Sequence, residues 1–189
     1  MQKMRWVLGL VVMLACSGLA VAQMAKAEEH QTVAKALNGS VSGVEGEFVP
    51  AAEAMPEDKY SYAPTGGEFK GVRTFAQQVK HVAAVNYILG ASILVEKPPV
   101  DLGGENGPDK IASKAEIVKF LKDSFVYLHK AVGSVNEKNL TEPIKHPFRE
   151  GKTTTRLEMA TLAVGHCFDH YGQMVEYLRM NGIVPPASR

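Results

Sequence analysis

The strongest constraint on this chain is a helical pattern that runs unbroken from about Thr155 to Asn181 and stops at Gly182 and Pro185-Pro186, residues that close a helix and forbid its continuation. Its polar face is Glu158, Gly165, Asp169, Gly172, Glu176 and Arg179. At about 100° per residue the inward direction falls near Cys167 and Met174, with His170 roughly 50° and His166 roughly 90° from it. An amphipathic helix of this kind must bury its apolar stripe against other elements, so the rest of the chain has to supply them.

Three further segments do so. From about residue 31 to Ala54, Val33, Leu37, Val41, Val44, Phe48 and Ala52 recur at helical spacing, although Gly39, Gly43 and Gly46 each cost about 1 kcal/mol relative to alanine and Pro50 predicts a kink or a break. Met55 to Lys70, with its prolines and glycines, reads as a connection. A second helix is expected from Thr74 to about Leu94, stopped by Pro98-Pro99, with Val72, Phe75, Val79, Val82, Asn86, Leu89 and Ile93 as its buried stripe and His81, Val85 and Ile88 on the flank. After a polar loop, Asp101 to Asp109, Ser113 and Glu116 form a capping box for a third helix that reaches about Val132. Asn136 to Lys152 reads as loop, with no hairpin signal. Four helices joined by loops predict an all-α, up-down four-helix bundle.

Residues 1–22 have the pattern of a secretory signal. Lys3 and Arg5 precede the apolar run Trp6 to Ala15, and Ala20-Val21-Ala22 offers a cleavage site before Gln23. Residues 23–30 would remain as a flexible leader and residues 31–189 as the bundle domain. The expectation is an exported protein, periplasmic or secreted, with no stable membrane span after processing. Cys16 is a minor lipoprotein alternative, since Met13 fits poorly three residues before a lipid-modified cysteine. Lys3 and Arg5 are the only charges removed, so the 21 basic residues become 19 against 20 acidic ones. That balance excludes the concentrated positive charge nucleic-acid binding requires. Cys167 is then the sole cysteine, no internal disulfide can form, and stability must come from the core.

His166 and His170 stand one turn apart on one helix face, where both imidazoles can reach a single metal ion. His81, from the second helix, is the third candidate. Three histidines leave coordination positions open, as a reactive metal site requires. Imidazoles suit zinc, nickel, iron or manganese without choosing among these divalent ions. The alternative left open is that the histidines are packed and satisfied by carbonyls or water. Gln173, Asn86 and Tyr87 are candidates for orienting a ligand or touching a substrate, and a solvated helix-edge glutamine is the plainer reading of Gln173. Cys167 is expected to pack as a buried hydrophobe. His129 is expected at a surface edge of the third helix, His146 as an exposed loop residue bordering a pocket at most, and His30 in the leader. No CxxCH, HExxH, phosphate-cradling loop or serine elbow is present.

The run His81-Val82-Ala83-Ala84-Val85-Asn86-Tyr87, the segment His166-Cys167-Phe168-Asp169-His170-Tyr171-Gly172-Gln173, and Met55-Pro56-Glu57-Asp58-Lys59-Tyr60 resemble the DinB-like superfamily over residues 31–182. The resemblance implies a bundle with a three-histidine metal site, often dimeric, in which His81, His166 and His170 match the ligand positions. It implies a metal-dependent enzyme of hydrolase or thiol S-transferase type acting on an unknown small-molecule substrate, with a non-catalytic metal-binding or interaction bundle as the alternative. An exported location is at odds with the thiol-transferase reaction, because its thiol cofactors are mainly cytosolic.

Overall fold

A computed structural model describes residues 30–189, so the signal sequence expected at 1–22 and the leader expected at 23–30, apart from exposed His30, lie outside the described residues. Four α-helices account for most of what is described: α1 (Val33–Ala54), α2 (Phe75–Leu94), α3 (Lys114–Gly133) and α4 (Arg156–Met180). Their starts follow from capping chemistry. Thr74 accepts from the Gln77 amide while the Gln77 side chain accepts from Thr74, Ser113 and Glu116 do the same for α3, and Thr155 accepts from the Glu158 amide. Pro50 lies inside α1 without ending it, because Phe48, Ala51 and Ala52 beside it are fully buried and their packing outweighs the lost backbone bond.

The helices form the four-helix bundle expected, and Val33–Arg189 is one compact unit. α1 packs on α3 and α4, and α2 packs on the same two, which sets α1 and α2 across the core from each other. Direction reverses from α1 to α2 and from α3 to α4, whereas α2 and α3 run parallel: Lys80 meets Pro108 and Ile111, Asn86 meets Ser124, and Glu96 meets Tyr127 and Lys130. A parallel pair needs a crossover that returns along the bundle, and residues 95–113 are that crossover. The core interdigitates Phe48, Phe75, Leu89, Leu121, Phe125, Met174 and Leu178, all fully buried.

The parallel α2–α3 pair departs from the simple up-down order expected, because the long crossover lets the chain re-enter in the same direction. The link between α3 and α4 departs from the sequence reading as well. The segment read as plain loop, Asn136 to Lys152, contains β1 (Pro143–Lys145), which pairs antiparallel with β2 (Thr153–Thr155) just beyond it, in register Ile144 opposite Thr154. Strands of three residues are too short to show alternation, and Pro143 occupies the first strand position, where a missing donor is tolerated. Among the described residues no helix is long and apolar enough to cross a membrane.

α2 and α3 are tightly packed at Gly90, where a Cβ would lie 2.9 Å from the Tyr127 ring. That ring cannot swing aside freely, since its hydroxyl donates to Glu96 and its face packs on Tyr87. Gly90→Ala is therefore expected to cost about 1–3 kcal/mol through overpacking, more than the roughly 1 kcal/mol alanine gains in helix propensity. Urea unfolding of the variant measures it, and an unchanged or raised midpoint would refute the close packing.

Candidate metal centre

Helix α2 carries His81, and α4, antiparallel to it, carries His166 and His170 one turn apart. The side chains converge. One ring nitrogen from each histidine lies within 4.8 Å of the others, and the ring centroids are 4.5–5.0 Å apart. His81 and His170 are buried, and His166 is half-buried.

Hydrogen bonds fix which nitrogens are free. His81 Nδ1 lies 2.6 Å from the Glu105 carbonyl, which can only accept, so this nitrogen carries the proton and Nε2 presents its lone pair. For His170 the tautomer follows from a chain of partners. The Asp169 carboxylate takes the Gln173 amide nitrogen, Gln173 Oε1 therefore accepts from Gln78 Nε2 at 2.7 Å, and Gln78 Oε1 is left to accept from His170 Nδ1 at 2.7 Å. His170 Nε2 is thus also a free lone pair. His166 Nε2 lies 3.1 Å from His81 Nε2, and His166 Nδ1 is buried with no hydrogen-bond partner among the described residues. Three nitrogens on one ion, each about 2.0–2.1 Å from it, would stand roughly 3.3 Å apart, close to the spacing of His81 and His166. These residues fit a divalent ion: three imidazoles, two of them with Nδ1 held by the outer partners that metal-ligating histidines use.

The rings are also in the required protonation state. Burial is the largest cause in each case: it lowers His81 below the usual histidine value, brings His166 to about 3 and His170 to about 4, and neighbouring histidines and Arg73 push the latter two the same way. Neutral imidazole is the form that binds metal. Cys167, between the two histidines, packs in the core and donates to Asn86 Oδ1, and burial pushes its thiol up to about 12, so it supplies no thiolate.

A cavity of about 370 Å³ opens beside the cluster, lined by Arg73, His81, Val85, Glu105, Phe148, Leu162, His166 and His170. The open side of the histidines therefore faces space sufficient for a small molecule.

The structure brings Gln173 to this site, where it holds Gln78. Asn86 and Tyr87 do not line the cavity: Asn86 donates to Ser124 Oγ on α3 and accepts from Cys167 Sγ on α4, and Tyr87 packs on Phe120 and Tyr127. At about 100° per residue they lie some 120–140° around α2 from His81, which turns them away from the histidine cluster. His146 differs from expectation in being buried, its Nδ1 accepting the Phe148 amide. His129 spans α3 to α1, meeting Asn38 and Glu45.

Three participants were missed in the sequence. Gln78 carried a signal, a polar residue one turn before His81 on an otherwise apolar stripe. Arg73 and the Glu105 carbonyl carried none, since each is positioned by chain far from it in sequence.

A sequence profile of the DinB superfamily matches residues 42–174. No curated protein matches the chain. Among solved structures, a DinB-like protein from Bacillus cereus superposes with a TM-score of 0.63 at 16% identity, over 82% of this chain and 97% of its own. A DinB-like protein from Bacillus subtilis does so at 0.60 and 17% identity, over 77% and 92% respectively. At such identities the likeness is one of fold.

Proposed function

The chain belongs to the DinB superfamily, and on that premise we propose that it is an exported metal-dependent enzyme whose His81, His166 and His170 hold one divalent ion. The ion would act as a Lewis acid that activates a water or a thiol toward a small electrophilic substrate. The observation that carries this reading is the set of three converging neutral imidazoles, two of them locked with Nε2 free, at the wall of a 370 Å³ cavity. A packed cluster needs no cavity beside it.

The chain's own residues have separate tasks in this reading. Glu105 and Gln78 hold His81 and His170 in one tautomer and one ring orientation. Val85, Phe148 and Leu162 give the cavity an apolar wall that limits water around a bound substrate.

Elemental mass spectrometry on untagged protein tests the proposal. About one equivalent of metal per chain, as purified or after reconstitution with zinc, nickel, iron or manganese, is the expected result, followed by turnover against a panel of esters and thiol-reactive electrophiles. No bound metal under any of these conditions would overturn the reading. Export rests on residues 1–22, and N-terminal sequencing of protein from the extracytoplasmic fraction should begin at Gln23; a mature chain that keeps Met1 would contradict it.

Gln78→Leu is expected to weaken metal binding about 10–100-fold, the usual consequence of losing a partner that orients a ligating histidine. Competition against a chromophoric chelator reads the affinity, and circular dichroism should show the helices retained. Unaltered affinity would mean that His170 needs no orienting partner.

A further inference from the structure

Arg73 stands immediately before the N-cap of α2, with its backbone carbonyl accepting from the Tyr177 hydroxyl at 2.9 Å. This bond anchors the residue independently of its side chain. The half-buried guanidinium lines the same cavity as the three histidines. Its Nε and Nη2 donate to one neutral oxygen, Asn106 Oδ1, at 3.3 and 3.1 Å. An arginine has five N–H donors, so most of the fork has no such partner. No acidic side chain lies within ion-pair distance of it among the described residues. A partly desolvated guanidinium without a carboxylate is an open position for an anion.

The charge balance of the cavity points the same way. Three neutral imidazoles cancel none of the charge of a divalent ion, and Arg73 adds one more positive charge. Glu105 is exposed on the same rim, and it meets His81 through its backbone carbonyl, with its carboxylate forming no ion pair to Arg73. The remaining lining residues, Val85, Phe148 and Leu162, are apolar.

We propose that Arg73 selects the substrate class: a small molecule with an anionic group, carboxylate or an equivalent oxyanion, that pairs with the guanidinium while its reacting atom faces the three histidines and its apolar part lies on Phe148 and Leu162. This rests on the metal reading above. The guanidinium offers two parallel N–H donors to two oxygens, which a lysine ammonium cannot reproduce.

Cobalt(II) in place of the native ion reports both steps by absorbance. Its ligand-field bands show the loaded site, and a sulfur-to-cobalt charge-transfer band shows a thiolate in the open position. The probes are 3-mercaptopropionate, which carries a carboxylate, and neutral 2-mercaptoethanol, titrated into wild type, Arg73→Ala and Arg73→Lys. The wild type should prefer 3-mercaptopropionate by about tenfold or more, as one charge-assisted pair provides. That preference should vanish in Arg73→Ala and be only partly kept in Arg73→Lys. Equal preference in wild type and Arg73→Ala, or no charge-transfer band with either thiol, overturns the assignment of Arg73 while the cobalt bands keep the metal site standing. Absence of cobalt bands in the wild type overturns the metal reading itself, and the role of Arg73 falls with it.

Discussion

Alanine at position 170 should reduce metal affinity by at least about 100-fold, a larger loss than removing an orienting partner of a ligating histidine causes. His170 is the more deeply placed of the two α4 histidines, and its Nε2 is left free because Nδ1 is bound to Gln78. Two imidazoles remain after the substitution, and two neutral nitrogens without a chelating third do not hold a divalent ion against water and buffer. The fold should survive. The histidine ring is replaced by a smaller side chain at the wall of an existing cavity, and the principal structural cost is the Gln78 carbonyl left without its donor, about 1–3 kcal/mol. His81→Ala and His166→Ala should lose metal in the same way. Elemental analysis with circular dichroism on the same samples decides the matter: a folded His170→Ala protein that still holds one equivalent of metal would remove His170 from the site.

Acid should destabilise the metal-free protein well above the range where carboxylates titrate. Burial depresses all three cluster histidines, His166 to about 3 and His170 to about 4, whereas in the unfolded chain a histidine protonates near 6.5. Between those values the unfolded chain binds protons that the folded one refuses. The stability contributed by keeping these rings neutral is complete above about pH 6.5 and is lost as pH falls toward 4. The slope is on the order of 1 kcal/mol per pH unit for each histidine held neutral, so the cluster as a whole outweighs any single surface interaction. Urea midpoints measured between pH 7.5 and 5 on chelator-treated protein should fall steadily, and those of the His81→Ala/His166→Ala/His170→Ala variant should fall much less. A flat wild-type profile over that interval would mean that the cluster is not held neutral by burial. Bound metal should raise the midpoint at pH 7.5, since it binds the folded state alone.

Much of this molecule could be read along the chain, because the relevant signals are local. A helix start depends on one side chain reaching an amide three residues on, and Thr74, Ser113 and Thr155 each do that. A helix face depends on a fixed angle per residue, so His166 and His170 could be paired and Cys167 assigned to the core. The number of helices followed from the apolar period and its interruptions. The short β1–β2 pair was not legible, because three residues show no period and its hydrogen bonds cross a turn of seven.

Sequence alone therefore determined four helices, the capping box that starts α3 and the two α4 histidines that share a face. Tertiary structure decided that α2 and α3 run parallel, and from that came the returning crossover that lays the Glu105 carbonyl on His81. It also set Asn86 between Ser124 and Cys167 and Tyr87 against α3, and joined Gln78 to Gln173 and His170 across two helices. The physical reason is the range of the interactions. Propensity, capping and periodicity act within a few residues, whereas the choice of helix neighbours minimises exposed apolar surface over the whole bundle, and the partners of a buried imidazole are whatever donors and acceptors that choice brings within 3 Å.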